Sequence, residues 1–118
     1  MKKKVYIAGC GGMLGEAFYN QFKTEFILKC TDKDVNESWL TFLDFRDFDA
    51  YKKDVLSFKP DYLFHLGAYT DLEFCELNPD ETYNTNTIAV ENAVSIANSL
   101  DIPVLYISTA GIFKIAKV

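Results

Sequence analysis

The stretch "VYIAGCGGMLGEAF", residues 5–18, constrains the fold more than any other part of the chain. A β-rich run, "KVYIA", stops abruptly at glycines, and apolar residues at helical spacing (Leu14, Ala17, Phe18, Phe22) follow it to about Lys23. Gly9, Gly12 and Gly15 therefore stand as G-x-x-G-x-x-G between a strand and a helix. Such a turn needs glycine because it is tight and because backbone must approach a pyrophosphate with no Cβ in the way. The helix behind it offers unpaired amides and a positive dipole end to phosphate. A second strand is read in "EFILKC", and Asp32 comes just after it, where an acid that accepts from ribose hydroxyls belongs. These residues predict a strand–helix–strand unit that holds a dinucleotide.

The rest of the chain continues the alternation. "WLTFLDF" reads as a third strand, residues 47–58 as a helix broken by "KPD", and "YLFHLGA" as a strand apolar enough to be buried on both faces. Asn78, Pro79 and Glu81 mark a helix start with cap, first-turn proline and capping-box acid, and that helix runs to about Leu100 with Ile88, Val90, Ala93, Val94 and Ala97 mostly inward. "IPVLYIS" is the fifth strand. The fold class expected is α/β: a Rossmann-type, doubly wound parallel sheet of about five strands in order 3-2-1-4-5, with helices on both faces. Residues 1–118 form one domain, with no repeat, linker or low-complexity segment.

Composition narrows the partners. A net charge of −5 with one basic run, Lys2–Lys4, does not make a surface that tracks nucleic-acid phosphates. The cysteines Cys10, Cys30 and Cys75 are odd in number, far apart and without a C-x-x-C, so reduced thiols in a cytoplasmic protein are expected. With His65 as the single histidine, no zinc set is expected. His65 itself reads as a packed strand residue, and Cys10 as a small residue filling the loop. No apolar run reaches the roughly 20 residues that span a bilayer. Asp32 favours NAD by repelling a 2′-phosphate, and Lys33 beside it leaves NADP open.

The glycine spacing together with "LDFRD", "HLGAYTDLEFCE", "YNTNTIAVENA" and "YISTAGIF" resembles the extended short-chain dehydrogenase/reductase superfamily, and within it the dTDP-4-dehydrorhamnose reductases. The likeness covers about residues 4–113. It implies that Gly12, Met13 and Leu14 line the pyrophosphate, and that Asp44 and Phe45 meet the adenine, the aspartate through the exocyclic amine. It also implies that Ala68, Tyr69 and Thr70 flank the nicotinamide ribose and that Thr109 hydrogen-bonds the substrate carbonyl. Asn86 matches an asparagine of the family's long helix. The activity implied is NAD(P)H-dependent reduction of a 4-keto sugar carried on a nucleoside diphosphate. A nucleotide-sugar epimerase or dehydratase, or a non-catalytic subunit that binds the dinucleotide, are the alternatives.

Two departures stand out. Ala110 replaces the aspartate that often follows the family's threonine. The family's Tyr-x-x-x-Lys pair, in which the tyrosine exchanges a proton with the carbonyl oxygen and the lysine lowers its pKa, has no counterpart after Thr109. Tyr19 and Lys23 match that pattern in the first helix, on the adenine side, and are read as a chance match. The tail "KIAKV" also leaves the family pattern, so the chain reads as the family truncated after its fifth strand. That strand is then expected to be an open edge, with self-association through residues 104–107.

Overall fold

The computed structural model describes residues 2–11, 13–66, 79–108 and 111–115. Six strands form one sheet: β1 Lys4–Ala8, β2 Ile27–Asp32, β3 Leu40–Phe42, β4 Tyr62–His65, β5 Val104–Ser108 and β6 Gly111–Ile115. Their order is β3-β2-β1-β4-β5-β6, with the first five parallel and β6 antiparallel to β5. Among the described residues the helices are α1 Met13–Phe22, α2 Phe48–Phe58 and α3 Pro79–Leu100. The five-strand order expected from the sequence is present.

The centre of the sheet is β1. Its side chains alternate between two cores, as the period of a strand requires. Tyr6 and Ala8 face the α2/α3 side with Leu43, Tyr51, Val55, Leu63, Ala93 and Ile96. Val5 and Ile7 face the α1 side with Cys10, Cys30, Leu40 and Leu66. The hydroxyl of Tyr6 donates to Asp54, which also takes an ion pair from Lys29 at 2.7 Å, so the phenol that β1 buries is anchored to α2.

Helix ends follow local chemistry. Asp47 caps α2 by accepting the Ala50 amide at 3.2 Å. Lys59 ends it in the left-handed region, φ 55°, with Pro60 next in sequence. Asp101, φ 64°, ends α3: its amide donates to Asn98 and that of Ile102 to Ala97, the paired closure of a Schellman motif.

Several expectations change. Strand β5 is not an edge, because β6 pairs along its whole length from Val104↔Ile115 to Ser108↔Gly111, and residues 114 and 115 of the divergent tail lie in that ladder. Residues 104–107 are therefore not the open edge through which self-association was expected. In α1 the inward stripe is Gly15, Phe18, Tyr19 and Phe22, leaving Leu14 and Ala17 exposed. In α3 it is Ala89, Ala93, Ile96 and Ala97, leaving Ile88 exposed; the small alanines bring the helix close to the sheet. Strand β3 is three residues long and β4 ends at His65, shorter than the apolar runs that marked them. Asn78 lies outside the described residues. On the α1 side an apolar groove of about 350 Å³ runs past Phe22, Phe26, Tyr62, Phe64, Pro103 and Leu105. Among the described residues no helix is long and apolar enough to cross a membrane.

Candidate functional site

Strand order reverses between β1 and β4: from β1 the chain moves to β2 and β3, and from β4 it moves to β5. Ligands of open α/β sheets bind at the carboxyl ends of the strands beside such a switch point. Residues 9–11 leave β1 there, Asp32 closes β2, Asp44 and Phe45 follow β3, and Leu66 follows β4.

The glycine loop is tied to β2. The amides of Gly9 and Cys10 both donate to the Thr31 carbonyl at 2.9 Å, and that of Leu66 donates to Ala8 on the other side of β1. Gly9 has φ 79°, a backbone region glycine enters at little cost. The Gly11 amide donates to one carboxylate oxygen of Asp32 at 2.9 Å, and the Asp34 amide donates to the other at the same distance. Asp32 is the last residue of β2 rather than the first beyond it. Gly15 packs its first helical turn against the loop so tightly that a Cβ there would lie 2.0 Å from the Cys10 carbonyl oxygen. Loop, helix start and acid are one assembly.

The strand β3 corner is held differently. Arg46 forks onto Asp44, donating from its amide and Nε to Oδ1 at 3.0 Å and from its terminal nitrogen to Oδ2 at 2.8 Å. The Arg46 guanidinium holds the Asp44 carboxyl below the usual carboxylate range. Phe45 turns into the α2/α3 core, its ring 4.9 Å from that of His65, and its carbonyl accepts from Asn92 of α3 at 3.3 Å. His65 is fully buried with Nδ1 3.0 Å from the Tyr51 hydroxyl, a packed strand residue as expected. So Asp44 carries its own cation and Phe45 is in large part core.

Of the other expected site residues, Met13 opens α1 and Leu14 is half exposed in its first turn. Gly12, Ala68, Tyr69, Thr70 and Thr109 lie outside the described residues, and Asn86 falls within α3. Tyr19 stacks on Trp39 with ring centroids 4.2 Å apart, and the Lys23 ammonium sits over the Tyr19 ring. Trp39 precedes β3, so this pair belongs to the end of the sheet opposite the glycine loop. Reading the glycine pattern alone missed Gly11 and Thr31, whose amide and carbonyl fasten the loop. The doubled glycine in "GCGG" was the available signal for Gly11. Among the described residues no three His, Cys, Asp or Glu side chains are grouped to hold a metal.

Comparison with known families decides the assignment. Residues 2–117 match the model of the RmlD substrate binding domain. The chain belongs to that family. This RmlD-family chain is 26% identical over 113 residues to methionine adenosyltransferase 2 subunit beta of Xenopus laevis, covering 94% of itself and 34% of that protein. It is 26% identical over 115 residues to the dTDP-4-dehydrorhamnose reductase of Aggregatibacter actinomycetemcomitans, covering 93% of itself and 36% of that enzyme. The dTDP-4-dehydrorhamnose reductase of Bacillus anthracis, solved in complex with NADP, superposes with a TM-score of 0.79 at 26% identity, over 92% of this chain and 36% of that one. The chain thus spans about a third of the length of these relatives.

Proposed function

We propose that residues 1–118 are the dinucleotide-binding part of an NAD(P)-dependent reductase acting on a nucleotide-linked 4-keto sugar. The observation that carries this reading is the Asp32–Gly11 hydrogen bond of 2.9 Å, which fixes a carboxylate directly beside the loop meant for the pyrophosphate. A carboxylate so fixed keeps lone pairs free for ribose hydroxyls and opposes a 2′-phosphate, which favours NAD over NADP. Gly9, Gly12, Met13, Leu14 and Gly15 cradle the diphosphate. Asp44 and Phe45 edge the adenine, with the aspartate shared between Arg46 and the base. Ala68, Tyr69 and Thr70 line the nicotinamide ribose, and Thr109 donates to the substrate carbonyl.

Bound nicotinamide supplies the hydride. Nothing in the 118-residue chain after Thr109 supplies the proton, so the isolated polypeptide binds cofactor without turnover. Calorimetry with NADH and NADPH, on the wild type and on Asp32→Ala, tests the binding claim. Saturable NADH binding that Asp32→Ala weakens supports it, and no binding at millimolar NADH overturns it. Steady-state reduction of a nucleotide-linked 4-keto sugar by the purified chain overturns the claim of inactivity.

A second reading is a non-catalytic dinucleotide-binding subunit. It is favoured by the similarity to a protein named as the beta subunit of methionine adenosyltransferase 2. Stoichiometric assembly of the chain with a separate catalytic polypeptide, in a manner that depends on dinucleotide, would support this reading over the first.

A further inference from the structure

Asn92 is a polar residue on the inward face of α3. It shares that face with Ala89, three positions before it, and Ile96, four positions after it, both fully buried, and it stands beside buried Ala93. A polar side chain drawn between a helix and its neighbour is kept there by a hydrogen bond. For Asn92 the partner is the Phe45 carbonyl, to which its side-chain nitrogen donates at 3.3 Å across 47 positions of sequence. The other end of the same peptide unit is held as well. Its N–H belongs to Arg46 and donates to Asp44 Oδ1 at 3.0 Å. A trans peptide points its oxygen and its N–H in opposite directions, so a donor that fixes the oxygen also aims the N–H. The Arg46 guanidinium follows onto the same carboxylate, with Nε 3.0 Å from Oδ1 and a terminal nitrogen 2.8 Å from Oδ2. The Phe45 ring, packed 4.9 Å from that of His65, anchors the unit from a third side.

We propose that Asn92 is a positioning residue: by holding the Phe45–Arg46 peptide it orients the Asp44 carboxylate, and so sets a preference for a base that carries an exocyclic amine. The effect on the base rests on the dinucleotide reading given above, in which Asp44 meets the adenine; the hold on the peptide does not.

The side-chain nitrogen of Asn92 is engaged by Phe45, so its influence on a ligand passes through Asp44. A carboxylate accepts from an amine and repels a keto oxygen. A well-aimed Asp44 therefore separates adenine from hypoxanthine, which carries a keto oxygen where adenine carries the amine. Arg46 already draws on both carboxylate oxygens, so the base must share the group with a cation. Only a carboxylate fixed in direction serves both at once. Without Asn92 the peptide is free to turn, the Arg46 amide leaves Oδ1, and the carboxylate meets the base in no set direction. The ordering that the protein had supplied in advance must then come out of the binding energy.

The test measures, by calorimetry on the 118-residue chain, the affinities for NADH and for reduced nicotinamide hypoxanthine dinucleotide. Wild type is expected to prefer NADH by about tenfold, and Asn92→Ala to bring that ratio below about threefold. A merely structural role would lower both affinities alike and leave the ratio unmoved. Asn92→Asp keeps the size of the side chain but has no N–H to give. It is expected to lose the preference too, and it decides the matter if circular dichroism shows the alanine variant unfolded. In an Asp44→Ala background, Asn92→Ala is expected to leave the ratio unchanged, because its effect passes through Asp44. Amide hydrogen exchange reads the peptide with no ligand present. The Arg46 amide is expected to exchange at least about threefold faster in Asn92→Ala, while the Ala50 amide, held by Asp47, keeps its rate. An unchanged Arg46 rate overturns the hold on the peptide. A full preference for NADH in both Asn92 variants overturns the effect on the base and leaves the dinucleotide reading standing. Wild type that binds neither dinucleotide overturns that reading and the base preference with it, while exchange still decides the hold on the peptide.

Discussion

The Asp32 carboxylate accepts the Gly11 amide on one oxygen and the Asp34 amide on the other, each at 2.9 Å. One side chain therefore sets both the shape of the glycine loop and the turn that leaves β2. The proposed function gives this acid a second job, meeting a ligand, beside holding the loop, and substitutions separate the two.

Asp32→Ala removes both bonds. A hydrogen bond to a charged acceptor is worth about 1.5–3 kcal/mol. Because the Asp34 bond is exposed and only the Gly11 bond is part-buried, Asp32→Ala is expected to lower unfolding stability by about the amount of one such bond and to weaken NADH binding at least about tenfold. Asp32→Asn keeps an acceptor for Gly11 but no charge, so it is expected to retain most of the stability while raising the NADPH-to-NADH affinity ratio. Urea unfolding and calorimetry on the two variants read both effects.

Gly15→Ala is expected to be the costlier loop substitution. The new Cβ would sit 2.0 Å from the Cys10 carbonyl oxygen, a backbone atom that cannot rotate away. Overpacking of this kind costs about 3 kcal/mol, and urea unfolding is expected to show a loss of that size. An unchanged midpoint would mean that α1 does not press on the loop.

Asp44 and Phe45 are adjacent but are expected to respond oppositely. Asp44 is partly exposed, and its Arg46 pair contributes less than about 1 kcal/mol. Because Arg46 lowers the folded-state value, that contribution is present above the unfolded carboxylate value and fades as pH falls through the folded one. Asp44→Ala is therefore expected to be nearly neutral for stability and to weaken binding of AMP-containing ligands. Phe45→Ala removes a ring packed on His65 and is expected to cost about 3 kcal/mol in unfolding stability.

The order of the first five strands, the three helices and the glycine turn were legible because each rests on local signals: glycine placement, apolar period and the Pro79 start. The helix faces were not. Leu14 and Ile88 fit an apolar stripe as well as their neighbours, and only packing of Gly15 against Cys10 and of Ala93 against the sheet fixes the rotation. The roles of Asp44 and Phe45 were half legible. The Arg46 fork depends on a turn conformation, and the Asn92 contact to Phe45 joins residues 47 apart in sequence, beyond the reach of any local pattern. Strand β6, Gly111–Ile115, was missed because it straddles the end of the family resemblance at Phe113, and its last two residues belong to the divergent tail.

Alkaline pH is expected to unfold the chain through two phenols. Burial, reinforced for Tyr6 by Asp54, raises Tyr6 and Tyr51 above the ordinary value of 10.0. Above about pH 10 the unfolded chain loses these protons while the folded chain keeps them, so stability falls by about 1.4 kcal/mol per pH unit for each tyrosine. Below that value their contribution is fully present. Tyr51→Phe is expected to reduce the slope of the alkaline limb by one proton, measured by urea unfolding between neutral pH and pH 11. An unchanged slope would show that Tyr51 ionises alike in both states.

The most direct test of the account is an amide-resolved nuclear magnetic resonance titration of the folded chain with NADH. The account predicts saturable shifts concentrated on the amides of Gly9, Gly11, Gly15, Asp32, Asp34 and Phe45. No shifts at millimolar NADH, or shifts centred on the apolar groove by Phe22 and Phe64, would contradict it.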